Sequence, residues 1–276
     1  MFGSKRTKGA AAVVTGAGSG IGAAFAQEIA RRGGAVVCSD IDLGRVQVTV
    51  AAIEQAGGKA LALACDVADA WQVEAMAEQA ERWLQRPVDL VVNNAGVGIG
   101  GRPVGEIPLE DWQWTVGVNM WGVIHGCHVF APKLRARGRG GIINVCSAAS
   151  FAAAPTMGPY NVTKAAVLAL SETLAAELAG TGVAVTALCP TWVKTNIARD
   201  GRIPADTNKV AQKMMDLTGL SADDVARTTL NAHDRGQLYV LPQLDARLVW
   251  RMKRFAPVSY ARGAGLIGRW LKTAEE

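Results

Sequence analysis

The sequence predicts a single α/β domain: a seven-stranded parallel sheet with helices on both faces, followed by a helical tail. Three observations carry that reading. Seven short runs are apolar throughout, six longer segments with helical periodicity lie between them, and glycines stand where those segments end. Strands that are apolar on both faces need cover on both, and each right-handed crossover lays a helix on one of them. With 276 residues, half of them apolar, the chain is long enough to bury one substantial core.

In chain order, the first strand-like run covers residues 10–15 and leads into a helical pattern over 21–32, closed by Gly33. The second, 35–39, is followed by a helix over 43–56 that stops at Gly57 and Gly58. The third, 60–65, feeds a helix over 69–85, and the fourth, 90–92, feeds a long one over 109–137 that ends at Gly138. After the fifth run, 141–146, comes a helix over 160–179 closed by Gly180. The sixth, 183–188, precedes a helix over 221–234, and the seventh, 237–241, completes the sheet. Glycine at these ends suits a left-handed cap. The alternation describes a doubly wound, Rossmann-type domain over residues 1–242, with 243–276 as an extension.

Composition excludes several classes. The net charge is +5, but seven Lys and Arg against three Asp and Glu fall within 243–276, so the domain itself is nearly neutral and is not expected to bind nucleic acid. No apolar stretch reaches the ~18–20 residues of a membrane span, and the basic start, MFGSKRTKG, runs directly into a strand pattern without a signal-peptide core. A cytoplasmic protein is expected. Five widely spaced cysteines, Cys38, Cys65, Cys127, Cys146 and Cys189, read as reduced core thiols. His125, His128 and His233 show no ligand spacing, and no metal site is expected.

Directly after the first strand stands Thr15-Gly16-Ala17-Gly18-Ser19-Gly20-Ile21-Gly22, opening the first helix. Glycines there let the backbone approach a pyrophosphate, whose charge is met by free amides and the positive end of a helix dipole. Asp40 closes the second strand, where its carboxylate can accept both hydroxyls of an adenosine ribose and would repel a 2′-phosphate. The alternative is that Asp40 caps the helix beginning near Leu43. Arg45, close by, could instead pair with a 2′-phosphate.

Further pieces fall at strand ends: Asp66-Val67, Asn93-Asn94-Ala95-Gly96, Val118-Asn119-Met120, Ser147, Tyr160-Asn161-Val162-Thr163-Lys164, and Pro190-Thr191-Trp192-Val193-Lys194-Thr195. With the glycine motif, this set resembles the short-chain dehydrogenase/reductase family from about residue 10 to about residue 241. The resemblance implies a catalytic tetrad of Asn119, Ser147, Tyr160 and Lys164, and NAD as cofactor. It implies cofactor contacts from Gly16, Gly18, Ser19, Gly20, Ile21 and Gly22, with Asp40 on the ribose and Asp66 and Val67 near the adenine. Asn93, Ala95 and Gly96 would shape the pocket, Tyr160 and Lys164 would serve cofactor and substrate alike, and Pro190, Val193 and Thr195 would border the carboxamide. The family usually carries glycine after that proline; here it is Thr191.

The chemistry fits those residue types. Oxidising an alcohol by hydride transfer needs a base for the hydroxyl proton, and a free tyrosine, with a pKa of about 10, is a poor one at neutral pH. Lys164 follows Tyr160 by one helical turn, so on a helix its ammonium would favour the phenolate. Ser147 would orient the reacting oxygen, and Asn119 would hold a water in the relay. Singly, each has an ordinary explanation: a solvated helix face for Tyr160 and Lys164, a turn for Ser147, a cap or kink for Asn119. Their coincidence at the strand ends of one α/β sheet favours the catalytic reading.

Val97, Ile99, residues 151–157, Trp192 and the segment 196–220 with Met214 and Met215 would border the substrate, and nearly all are apolar. A hydrophobic secondary alcohol or ketone is expected, of a steroid-like, aromatic or long-chain kind. Arg199 and Arg202 are the candidates for a carboxylate clamp. In the tail, Leu244, Leu248, Met252 and Phe255 alternate with Arg247, Arg251 and Arg254 in an amphipathic helix ending by Pro257, and Leu266, Ile267, Trp270 and Leu271 form a second apolar patch. Such segments can lie on an anionic membrane; packing on the body or on a neighbouring subunit is the favoured expectation. The resemblance also implies a homodimer or homotetramer through the helices at 109–137 and 160–179. Two other functions compete: an NADP-dependent carbonyl reductase, disfavoured by Asp40 and by the lack of a basic residue at Ser19, and a dinucleotide-binding sensor or scaffold without turnover, whose mark would be a damaged tetrad.

Overall fold

The computed structural model describes residues 6–197 and 199–273, with side chains through residue 266. Seven parallel strands form one sheet: β1 (Ala11–Thr15), β2 (Ala35–Asp40), β3 (Lys59–Ala64), β4 (Leu90–Asn93), β5 (Gly140–Val145), β6 (Val183–Leu188) and β7 (Tyr239–Val240), ordered β3-β2-β1-β4-β5-β6-β7. The order reverses between β1 and β4, and in an open α/β sheet that switch point is where the strand ends leave a crevice for a ligand. β1, β4 and β6 are buried at every position, which is why they read as continuous apolar runs.

Helices cover both faces: α1 (Gly20–Arg31), α2 (Leu43–Gln55), α3 (Ala70–Leu84), α4 (Leu109–Val116), α5 (Gly122–Arg137), α6 (Ala149–Ala152), α7 (Gly158–Glu177), α8 (Ala205–Thr218) and α9 (Ala222–Asp234). Two apolar cores result. One packs Met76, Phe130, Leu134 and Leu178 against the α3, α5 and α7 side of the sheet, and the other packs Phe25, Ile29 and Leu230 on the α1 and α9 side. All five cysteines are free and buried.

The expected single helix over 109–137 is two, α4 and α5, joined by a π-helical turn, Gly117–Trp121. Helices α6 and α8, absent from the periodicity reading, lie in the two segments that border the site.

Beyond β7 come α10 (Leu244–Phe255) and α11 (Pro257–Thr273). The apolar stripe, expected to pack on the body or on a neighbouring subunit, faces away from the body: Leu244, Leu248, Met252 and Phe255 are all exposed. The face that does pack carries Ala246, fully buried, and Trp250, whose ring meets that of Tyr239 at 5.8 Å. Of the second apolar patch, Ile267, Trp270 and Leu271 have side chains outside the described residues. Among the described residues no helix is long and apolar enough to cross a membrane.

Candidate active site

The loop between β1 and α1 is held close to the sheet. Gly16 has φ +64°, and a Cβ added there would come 2.7 Å from the Cα of Ala95; one added at Gly22 would come 2.1 Å from the Gly16 carbonyl oxygen. Only hydrogen fits at these two positions, so the glycines permit a backbone contact between loop, helix and the β4 end. Thr49 Oγ1 donates to the Ala17 carbonyl at 2.8 Å and fixes the loop from outside. Ser19 stands at the N-cap of α1 in extended conformation, but its side chain makes no capping bond. The helix therefore presents its first turn without a side-chain acceptor, a place for an anionic group. Ile21 and Gly20 lie on that turn, Gly20 with Thr195 Cγ2 just 3.1 Å from where its Cβ would be.

The two alternatives for Asp40 separate in the structure. Asp42, not Asp40, is the N-cap of α2 and accepts from the Arg45 amide. Asp40 turns to the glycine loop, where Oδ2 accepts from the Gly18 amide at 3.0 Å. Arg45 is committed to acids, with Nη1 2.7 Å from Asp200 and Nε 3.4 Å from Asp42. Asp66 follows β3 and accepts from the Ala68 amide at 3.0 Å, while the Cys65 amide ties this turn to the Asp40 carbonyl at 2.9 Å. Val67 is buried, and its carbonyl accepts from His125 Nδ1 at 2.9 Å.

At the end of β4 the adjacent asparagines divide their work. Asn93 turns into the core, donating to Asn144 Oδ1 at 2.9 Å beside Cys127, so its effect on the pocket is indirect. Asn94, which the sequence reading did not single out, donates to the carbonyls of Thr15 at 2.9 Å and Gly16 at 3.1 Å. It joins the glycine loop to the turn carrying Ala95 and Gly96. The signal was strand parity, since Asn93 shares a face with Val91, which belongs to the core on the α5 side.

Asn119 sits in the π-helical turn, fully buried. Its Oδ1 accepts from the Val97 amide at 2.7 Å and its Nδ2 donates to the Val97 carbonyl at 2.9 Å. Both ends of the carboxamide are therefore taken up in clamping the backbone beside Gly96.

Tyr160 and Lys164 lie one turn apart on α7, and the Lys164 ammonium is 5.8 Å from the centre of the Tyr160 ring. Ser147 stands just beyond β5, and its hydroxyl accepts from the Ala149 amide at 3.2 Å. Burial pushes the Tyr160 phenol above its ordinary value, opposed by the Ser147 hydroxyl. The lowering expected from Lys164 does not appear in the protein alone. Burial holds the Lys164 ammonium below its usual range, and Nζ donates to the Val145 carbonyl at 2.8 Å. Ser150, another residue missed, accepts from the Ser147 amide at 3.3 Å and donates to the Lys164 carbonyl at 2.7 Å, locking the two segments together.

The loop after β6 closes the site. The Pro190 carbonyl accepts from Ala148 at 2.8 Å, and buried Val193 pairs with Leu220 in strand-like fashion, with the Lys194 amide donating to the Leu220 carbonyl at 3.0 Å. Thr191 donates to Asp245 Oδ1 at 3.1 Å, and Gln243 accepts from the Thr191 amide at 3.2 Å and donates to the Trp192 carbonyl at 2.8 Å. Ile99 is buried and Met157 lies beside Gly100. Arg202 is no free clamp: it pairs with Asp111 at 2.6 Å and stacks on Trp114 at 4.2 Å. Arg199 lies 3.5 Å from Asp200.

Two hydroxyls, Ser147 and Tyr160, with an ammonium one turn away and an uncapped helix end across the crevice, can bind a polar oxygen and exchange a proton with it. Comparison with known proteins follows from that geometry. Residues 10–204 match the family model described as short chain dehydrogenase. A 1-deoxy-11-beta-hydroxypentalenate dehydrogenase from Streptomyces exfoliatus is 35% identical over 90% of this chain and 91% of its own. A Mycobacterium tuberculosis protein named "Probable oxidoreductase EphD" is 40% identical over 79% of this chain, which spans only 38% of that relative's length. Among solved structures, a short chain dehydrogenase/reductase from Burkholderia phymatum in complex with NAD superposes with a TM-score of 0.85 at 35% identity, covering 90% of this chain and 94% of that one.

Proposed function

The chain belongs to the short-chain dehydrogenase family, and on that premise we propose that it transfers a hydride between NAD and a hydrophobic secondary alcohol or its ketone, with Tyr160 as general base and acid. The single observation that carries this reading is the buried Lys164 ammonium 5.8 Å from the centre of the Tyr160 ring, one turn along α7. Nicotinamide, when bound, supplies the carbon that takes or gives the hydride. The uncapped turn at Ser19, the close approach at Gly16 and Gly22, and the carboxylate of Asp40 suit the pyrophosphate and an unphosphorylated ribose.

Within the site, Ser147 and Tyr160 bind the substrate oxygen, and Tyr160 takes its proton during oxidation or returns one during reduction. Lys164 stands one turn behind as the group that exchanges the proton onward. Asn119 holds the Val97 backbone rigid at the edge of the crevice. The apolar lining and the engaged arginines support a substrate without a carboxylate, a departure from the hydroxy-carboxylate that the Streptomyces relative's name denotes. Exposed Leu109, Trp121 and Val162 on α4, the π turn and α7 are suited to a homodimer or homotetramer contact, and five buried free thiols suit a cytoplasmic setting.

The test is the change in reduced-cofactor absorbance with NAD⁺ across a panel of steroid-like, aromatic, long-chain and polyol alcohols. Tyr160→Phe is expected to lower kcat about 100- to 10,000-fold. Because burial raises the Tyr160 pKa, its base form is scarce at neutrality, so kcat/KM for oxidation rises with pH while reduction does not require that rise. A phenylalanine variant as fast as the parent ends the mechanism, and polyols turned over best would end the substrate class.

A further inference from the structure

A helix lying on a domain turns its apolar face inward; α10 does the reverse. Leu244, Leu248, Met252 and Phe255 are 78%, 60%, 46% and 85% exposed. At about 3.6 residues per turn they fall within an arc of about 80°. Ala246 and Trp250, which meet the body, lie on the opposite side. Arg247, Arg251 and Arg254 flank the stripe along one edge, all exposed. Val258, 62% exposed at the start of α11, and the exposed Arg262 continue the same combination.

We propose that this outward face of α10 docks on an anionic lipid surface, lying in the interface without crossing it. The charge decides between occupants. A second copy would bring three more arginines, and Asp245, the only acid among the described residues of the tail, is already taken by Thr191 and by the Ala246 amide at 2.8 Å. A layer of anionic headgroups over acyl chains meets both features at once: aliphatic and aromatic side chains enter the boundary region, and guanidinium groups remain level with the phosphates. Asp245, in the first turn of the same helix, and Gln243, at its N-cap, hold the Thr191 and Trp192 loop, so docking would bring the site close to the lipid. An apolar alcohol dissolved in the bilayer would then be near at hand. That last consequence rests on the substrate proposed above; the docking does not.

The experiment is co-sedimentation of the full chain with vesicles of phosphatidylcholine alone and of phosphatidylcholine with phosphatidylserine, read as bound protein and separate from turnover of a water-soluble alcohol. Binding is expected on the anionic vesicles only, released as salt shortens the screening length. Replacing Arg247, Arg251 and Arg254 by Gln together should weaken it about 100-fold, and the pair Leu248→Ser and Phe255→Ser should also weaken it. All five side chains are exposed, but Arg247 donates to the Leu241 carbonyl at 2.8 Å and Arg254 stacks on Trp250 at 5.0 Å, so the circular dichroism of each variant is compared with the parent's. No binding to anionic vesicles at low salt, or undiminished binding by the triple variant, overturns the proposal. So does light scattering in which Leu248→Ser with Phe255→Ser halves the mass of the lipid-free protein, since a second copy then covers the face.

Discussion

Thr191 Oγ1 donates to Asp245 Oδ1 across 3.1 Å, joining the loop that closes the active site to the first turn of the tail helix. Gln243 adds two bonds, one to the amide of Thr191 and one to the carbonyl of Trp192. The hydroxyl at this position, where relatives usually carry glycine, thus has a partner supplied by the extension. On the far side the same loop is anchored by Leu220, whose amide donates to the Trp192 carbonyl at 3.2 Å.

Thr191→Val keeps the branched shape and deletes the donor. For an exposed hydrogen bond to a carboxylate the expected loss of stability is about 1 kcal/mol or less. The larger effect should be on the cofactor, because the loop carries Val193 and Thr195: KM for NAD⁺ rises several-fold while kcat changes little. Gln243→Ala, which removes two ties to the backbone, should raise it further. Steady-state kinetics with denaturant melts check both variants, and an unchanged KM in each would show that the tail does not hold the loop.

We propose Asp40 as the determinant of cofactor choice, since its carboxylate lies against the Gly18 amide at the mouth of the glycine loop. A 2′-phosphate there would meet a like charge, which costs several kcal/mol in a desolvated contact. Arg45 does not relieve it while paired with Asp200 and Asp42. Asp40→Ser is expected to reduce the preference for NAD⁺ over NADP⁺ by on the order of 100-fold. Adding Asp200→Asn frees Arg45 and should improve NADP⁺ further. If kcat/KM for the two cofactors keeps its parental ratio in Asp40→Ser, discrimination lies elsewhere.

Most of the sheet was legible because its central strands are buried on both faces, which leaves an unbroken apolar run such as Val183–Leu188. The seventh strand was read too long: β7 keeps only Tyr239 and Val240, paired with Ala187 and Leu188. The break within 109–137 was hidden because a π turn adds one residue without disturbing the composition around it; only the two bonds from Asn119 to Val97 show why the helix gives way there. Helix α8 escaped notice since Met215 is its one buried residue, too little for a period. Site residues at strand ends were found by spacing, whereas the direction of a side chain was not: Asn93 and Asn94 are alike in type and turn opposite ways.

His233 provides a test of the fold independent of the chemistry. It is fully buried on α9, its Nδ1 is 2.9 Å from Thr186 Oγ1, and a Cβ added at Gly141 would come 1.9 Å from its Nε2. Burial pushes its pKa down to about 4. The unfolded chain, with histidine near 6.5, binds this proton first as pH falls, so the folded state carries the neutral ring at a growing cost between about pH 6.5 and 4. Stability should be flat above that window and decline through it, by about 3 kcal/mol in all from this group. His233→Gln, neutral at every pH, should flatten that part of the decline while lowering stability at pH 7 through lost packing. Denaturant melts from pH 4 to 8 decide the matter, and a parental slope kept intact in His233→Gln would assign the acid sensitivity to other groups.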